Sequence, residues 1–377
     1  MIAARQIAFG KAAGKKEEPP AYWWLCFTAE GAWSAVSMRA AGSAPAVTLE
    51  TSYDGEIWEP FYVGKTTISL PKVGDKIYFR AGPGGNTKFA DGEYSYNYFS
   101  MMGVVAASGN IMSLLDGENM TDALTESYCY YNMFNGCTSL VNAPELPATT
   151  LADYCYQYMF NGCTSLVNAP ELPATTLKRI CYSNMFNGCT SLVDAPKLPA
   201  TTLATYCYQY MFNGCTSLVN APELPATTLA RNCYSHMFSG CTSLAQAPAL
   251  PATTLATHCY DNMFSGCTSL VNAPELPATT LATYCCYYMF NGCTSLAQAP
   301  ALLATTLATH CYSNMFNGCE KVSLISTRQT SFTGCTNWLS GVAQSGIFYC
   351  PTSLGTNETI SRGDSACPKG WTVINKD

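Results

Sequence analysis

Leu166-Val-Asn-Ala-Pro-Glu-Leu-Pro-Ala-Thr-Thr-Leu-Lys-Arg-Ile-Cys181-Tyr-Ser-Asn-Met-Phe-Asn-Gly-Cys189-Thr-Ser191 is one unit of a repeat. Its phenylalanine, Phe186, recurs as Phe134, Phe160, Phe212, Phe238, Phe264, Phe290 and Phe316, always 26 residues on and always inside Met-Phe-[Asn/Ser]-Gly-Cys. A fixed period of this length marks a solenoid, because one such unit cannot bury its own apolar face and stacked units share one core. Within the unit, Leu166, Ala169 and Leu172 point inward from an extended segment that Pro170 and Pro173 keep short. Thr175-Thr-Leu177 is the β-favouring stretch for a second short strand. Cys181, Met185 and Phe186 share a face at i, i+4 and i+5, which predicts a helical turn closed at Gly188. Cys189 and Leu192 then re-enter the core.

The ends of the array depart from the unit, as caps must. Asn110-Ile-Met-Ser-Leu-Leu-Asp-Gly and Met120-Thr-Asp-Ala-Leu124 read as a degenerate first coil. Phe332-Thr-Gly-Cys335 echoes the Phe-x-Gly-Cys core only 16 residues after Phe316. Ile347-Phe-Tyr-Cys350 and Trp371-Thr-Val-Ile374 are expected to be closing strands over the last open edge. Ahead of the array the pattern becomes short β-rich runs: 22–27, 32–38, 46–53, 58–63, 66–70, 75–80 and 96–102, with turns at Asp54-Gly55 and Gly82–Gly85. Seven such strands predict a small β-sandwich or jelly roll. It carries Trp23, Trp24, Trp33 and Trp58, expected to serve core and inter-domain packing rather than sugar stacking. The expected class is mainly β with short helical turns. The division is a flexible tether over 1–21, a β-sandwich attachment domain over 22–105, the solenoid over 106–335 and a C-terminal cap over 336–377.

Composition narrows the functions. There are 19 Lys+Arg against 25 Asp+Glu, a net charge of −6 and only 12% charged residues. Neither nucleic acid nor an anionic membrane would attract such a surface. No run of about 18 apolar residues predicts a membrane span, and the first residues do not form a convincing signal peptide. Three histidines, His236, His258 and His310, occupy slots otherwise filled by Tyr, Asn and Ile, so neither acid–base chemistry nor a metal site is expected. No nucleophile elbow, Walker loop or dinucleotide fingerprint is present. The expectation is a protein that is not an enzyme and carries no cofactor.

Sixteen of the 21 cysteines fall in two columns, headed by Cys129 and Cys137 and repeating with the coils. Members of a pair are eight residues apart. Across a helical stretch this places their Cα atoms about 12 Å apart, beyond the reach of a bridge. Buried free thiols are therefore expected, with some disulfides as the alternative. Arg362-Gly-Asp364 would mimic an integrin ligand, although a tripeptide of this kind also arises by chance.

Copies of the unit disagree at three slots. The slot before the first Cys holds Tyr128, Tyr154, Ile180, Tyr206, Asn232, His258, Tyr284 and His310. The slot before Met holds Asn132, Tyr158, Asn184, Tyr210, His236, Asn262, Tyr288 and Asn314. The slot before that runs from Tyr131 through Gln157, Ser183 and Gln209 to Ser313. Tyr, Asn and His give adaptable contacts at little entropic cost, and drift at exposed sites would bring in more Lys and Glu. The expected binding residues are Tyr128, Tyr131, Tyr154, Tyr158, Tyr206, Tyr210, His236, His258, Asn262, Tyr284, Tyr288 and His310.

The sequence Met-Phe-x-Gly-Cys-Thr-Ser-Leu followed by a Leu-Pro step resembles the BspA-like leucine-rich repeats of bacterial and protist surface proteins, over roughly residues 110–335. The resemblance implies a solenoid without an active site, used for adhesion to host proteins, matrix or other cells. A β-rich front with a Gly370-Trp-Thr-Val ending is also similar to tail or fibre proteins of gut bacteriophages. These resemblances imply a recognition protein on a virion surface or outside a cell, binding a host cell-surface protein or glycan. The front domain would contact other virion proteins. A bacterial adhesin of matrix or glycans is the alternative.

Overall fold

A computed structural model describes residues 23–117 and 121–376. The expected tether over 1–21, Tyr22 of the first expected strand and Met120 of the degenerate coil lie outside the described residues. The front of the chain folds into two facing sheets. One contains β1 (Leu25–Ala29), β3 (Leu49–Ser52), β4 (Glu59–Phe61), β6 (Lys76–Ala81) and β9 (Val105–Ser108). The other contains β2 (Ser34–Ala41), β5 (Thr67–Leu70), β7 (Ala90–Gly92) and β8 (Ser95–Met102), in the order β5-β2-β8-β7. Alternation along β2 and β6 buries Val36, Met38, Ile77 and Phe79 between the sheets. Phe27, Phe61, Phe79 and Phe99 meet there edge to face at 4.8–5.5 Å. The seven expected runs all contain strands; β7 and β9 are additional. Among the front tryptophans, Trp24 is buried edge-on against Trp58, and Arg80 lies 4.1 Å over the Trp58 ring. Trp33 is exposed.

The sandwich passes directly into the solenoid. β9 pairs antiparallel with β1 on one side and parallel with β10 (Leu140–Asn142) of the first coil on the other. Phe99 of β8 stacks on Phe134 at 5.3 Å, and Phe89 stacks on Tyr130 at 5.7 Å. Their backbone N–H groups donate to Met133 and Cys129 carbonyls at 2.8 Å. The second sheet thus supplies a zeroth step to the stack, and one continuous apolar core runs from Leu25 to Val373. Asn110 and Ala123 bridge to Glu145 and Thr150, so the degenerate segment lies against the first coil, with the single helical turn α1 (Ser113–Asp116) beneath it.

Eight coils follow, each named here by its phenylalanine. Rings stack face to face from Phe134 to Phe316 in steps of 5.3–5.7 Å. Tyr130, Tyr156, Tyr182, Tyr208, Tyr234 and Tyr260 form a parallel buried column in steps of 5.8–6.1 Å. Leu166 and Leu172 are buried and Ala169 packs against the same core, as their spacing predicts. The extended segments shrink to single bridges between coils, such as Asn168–Asp194 and Thr202–Thr228. Two prolines in six successive units, from Pro144 to Pro277, and Pro300 in the next, leave too few donors for longer ladders.

The expected helical turn is absent. From Tyr154 to Cys163 the chain makes consecutive four-residue turns. Gln157, Met159, Asn161 and Cys163 donate N–H to the carbonyl three residues back at 3.1–3.3 Å. The alternate N–H groups, of Tyr154, Tyr156, Tyr158, Phe160 and Gly162, donate to the next coil at 2.7–3.0 Å. A residue with positive φ at every fourth position, such as Tyr154, Tyr158 and Gly162, forbids an α-helix. The four-residue spacing that mimics a helical face comes from repetition of the turn.

At the far end the stack closes in a shifted register. Asn337, not Phe332-Thr-Gly-Cys335, continues the turn run: Phe316 N–H donates to the Trp338 carbonyl, and Gly341 sits on Gly318. Cys335 falls beneath Tyr312, whose ring stacks on Trp338 at 6.4 Å. The Phe-x-Gly-Cys echo is therefore not a ninth copy of the core motif. β11 (Leu324–Ser326), β12 (Ile347–Cys350) and β13 (Thr372–Asn375) form a parallel three-stranded sheet in that order, with both expected closing strands in it.

Arg362 is a clasp inside this cap. Its guanidinium donates to the Pro368 and Trp371 carbonyls at 3.2 and 2.8 Å, to Cys367 Sγ, and to Asn357 Oδ1 at 2.8 Å. The Arg-Gly-Asp tripeptide does not present a free arginine, so the integrin-mimic reading is set aside. Arg362→Ala is expected to lower unfolding free energy by about 3 kcal/mol, since hydrogen bonds to a charged group contribute about 1.5–3 kcal/mol and several are lost. Urea unfolding of the whole chain measures it; an unchanged midpoint would refute the clasp.

Candidate binding face

The turn run decides which side chains face out. N–H groups alternate between the local turn and the next coil, and carbonyls between the local turn and the preceding coil; Tyr156 and Phe160 point into the core while Tyr154 and Tyr158 stand at the surface. Both outer slots hold the left-handed conformation in every coil, with φ of +52° to +62° at sixteen positions. Asn and His tolerate this region better than most residues. That explains part of the Asn and His content, but not Tyr at seven of the sixteen positions or the β-branched Ile180.

The inner wall explains the second cysteine column. From Phe134 to Phe290 each Phe carbonyl accepts one bond from the Cys N–H of its own coil and one from the Cys thiol of the next. Cys163 Sγ donates to Phe134 O at 3.1 Å, Cys189 to Phe160 O at 3.1 Å and Cys215 to Phe186 O at 3.0 Å. A valine would fill the volume but leave that lone pair unpaired. All 21 cysteines are free and buried. Burial pushes Cys181, Cys215, Cys233 and Cys267 up to about 12, so these thiols are inert at neutral pH.

On the outer face the expected residues form clusters rather than one even ribbon. Tyr128 and Tyr154 stack at 4.4 Å, and Arg179, held by Asp153, lies 4.8 Å over the Tyr154 ring. Tyr210 stacks on His236 at 4.3 Å. His258, Tyr284 and His310 form a three-ring stack with steps of 4.8 and 5.0 Å, and Tyr287 stands edge-on between Tyr284 and Tyr288. Tyr206 lines a depression shared with Tyr158 and Tyr210. Tyr131 is separated from the open face: it is buried beneath Tyr96 of β8, with Tyr128 and Tyr158 edge-on against it. Asn262 donates from its amide to Asp261, whose carboxylate also accepts from His258 Nδ1–H at 2.9 Å. Arg179 was not legible as part of the face, since its slot holds Arg only at Arg179 and Arg231 and the ring it covers, Tyr154, belongs to the preceding coil.

The face mixes uncharged side chains with the Arg179–Asp153 ion pair and Asp261. Burial lowers His236, so its imidazole is uncharged at pH 7, and burial raises Tyr158 and Tyr210. Among the described residues, no group of three His, Cys, Asp or Glu is placed to hold a metal, and no helix is long and apolar enough to cross a membrane.

Residues 125–245 and 205–339 match the BspA type leucine rich repeat region in six copies. Together these spans cover more than half of the chain, and the chain belongs to that family. The family is one of repeat proteins associated with surfaces and adhesion, generally without enzymatic activity. Comparison with curated proteins and with solved structures found no match.

Proposed function

We propose that this chain is a non-enzymatic recognition protein whose outer turn face binds a host cell-surface protein or glycan. One observation carries the reading. Sixteen left-handed slots line one face, and their side chains differ from coil to coil while the Phe, Met and Cys columns beneath stay fixed. The core bears the fold, so the face is free to vary. Aromatic groups with few rotors are the commonest binding anchors. The setting proposed is a phage fibre or tail component displayed on the virion. Its front sandwich, at the opposite end from the cap, docks on the larger body. This setting rests on the resemblance of the β-rich front and Gly370-Trp-Thr-Val ending to such fibres; a bacterial surface adhesin uses the same face.

The test replaces Tyr154, Tyr158, Tyr206 and Tyr210 together by Asn. Asn already occupies these left-handed slots at Asn132, Asn184, Asn232, Asn262 and Asn314, so the fold is expected to survive. Labelled protein is scored by flow cytometry on panels of bacterial and epithelial cells. Binding is expected to fall at least tenfold. Undiminished binding would move the site to the exposed Trp33 end of the sandwich.

A further inference from the structure

Both outer columns are interrupted in the same place. The third coil, that of Phe186, carries Ile180 and Asn184 where its neighbours carry Tyr154, Tyr158, Tyr206 and Tyr210. A depression of about 430 Å³ opens there, with Tyr158 on one side and Tyr206 and Tyr210 on the other. Its volume is in the range of sites for small molecules. The flanking coils are separated by two steps, each of 5.6 Å between Phe rings. A flat ring sandwiched between two aromatic faces needs only about 7–8 Å, twice the usual carbon contact distance. The gap suits a thicker, puckered ring.

The polar groups point to the same chemistry. Gln157 lines the depression, is only 7% exposed, and its Oε1 has no hydrogen-bond partner. A buried acceptor left unmet is costly, and a hydroxyl donor would relieve it. Ser183 and Asn184 form the floor, already bonded to each other at 2.9 Å. Among the described residues the lining holds no charged side chain, so a charged ligand would lose hydration without a partner. We infer that the depression over the third coil is a subsite for one ring of a neutral saccharide. Its C–H face rests on a tyrosine wall and a hydroxyl donates to Gln157 Oε1. The inference rests on the proposed outer-face reading.

The whole chain is titrated by calorimetry with neutral tri- to hexasaccharides of glucose, galactose, mannose and N-acetylglucosamine. At least one series is expected to bind saturably. Asn184→Tyr fills the gap with the residue that Tyr158 and Tyr210 already place in the same slot, so it leaves the fold intact. It is expected to weaken binding at least tenfold, as is Gln157→Leu. Equal binding by parent and Asn184→Tyr overturns the subsite, as does binding of none of these saccharides. If no saccharide binds but the four-tyrosine variant still loses its cells, the subsite falls and the outer face stands. If that variant keeps its cells, the outer face falls and the subsite with it.

Discussion

Between about pH 9 and pH 11 the solenoid is expected to unfold cooperatively, because the unfolded chain can release thiol protons that the native core must keep. An unfolded cysteine ionises near its ordinary value of 9.0, whereas burial pushes Cys137, Cys181, Cys215, Cys233, Cys267 and Cys311 up to about 12. The native pKa lies above the unfolded one, so the contribution is complete below pH 9 and is lost as the pH climbs toward 12. At pH 10 each such thiol favours the unfolded chain by about 1.4 kcal/mol, and six together by roughly 8 kcal/mol. That equals the whole stability of many domains, about 5–15 kcal/mol. The buried tyrosines Tyr130, Tyr156 and Tyr182, also raised by burial, act in the same direction at higher pH. Circular dichroism and thiolate absorbance, followed together through the titration, should change at the same pH. Thiols that ionise near pH 9 with the fold intact would refute this account.

Phe212→Ala is expected to remove about 3–5 kcal/mol, the usual cost of deleting a buried phenylalanine. Phe212 is fully buried, with Phe186 stacked at 5.6 Å on one side and Phe238 at 5.7 Å on the other. In a stack of this kind each coil is held mainly by its two neighbours. A hole in the fourth coil therefore weakens two interfaces at once and divides the array into two cooperative blocks. Denaturant unfolding should lose its single transition, and limited proteolysis should cut first between Phe186 and Phe238. Phe212→Leu, which keeps most of the volume, should cost far less. A loss below about 1 kcal/mol for Phe212→Ala would mean that the ring column does not hold the coils together.

The solenoid was legible because its signal is translational. A 26-residue period and invariant Phe, Met and Cys columns require stacking whatever the local geometry. The local geometry was harder. Cys181 and Met185, four apart, look alike on a helix and on successive four-residue turns. The better sign was Asn184 followed by Gly188, two residues that tolerate positive φ at the turn period. Tyr154 and Ile180 in equivalent slots concealed it. β9 was missed because Val105-Ala-Ala-Ser108 has little β-branched character and is fixed by pairing with β1 and β10, both remote in sequence. The shifted closing coil was missed because its register is set by Gly341 resting on Gly318, while a better motif match at Phe332 lay nearby. The outer face was visible as slots that vary. Tyr131 was wrongly grouped with it because only the packing of Tyr96 reveals that it is covered.

The glycine column adds one further consequence. From Gly162 to Gly318, an added Cβ would meet the preceding glycine at a nearly constant 3.6–3.9 Å, so successive coils advance with little sideways drift. Inserting or deleting a unit therefore lengthens or shortens the rod by one step of the same glycine contact. The coils that would slip past one another in the gene are nearly identical in sequence, since Thr-Ser-Leu-Val-Asn-Ala-Pro-Glu-Leu-Pro-Ala-Thr-Thr-Leu begins at Thr138, Thr164, Thr216 and Thr268. Unequal recombination between such stretches produces proteins of different reach, each already compatible with the same sandwich and the same cap. In this architecture length is a heritable dial, adjustable in steps of one coil, that can change how far a contact is held from its base while the chemistry of every remaining step stays as it was.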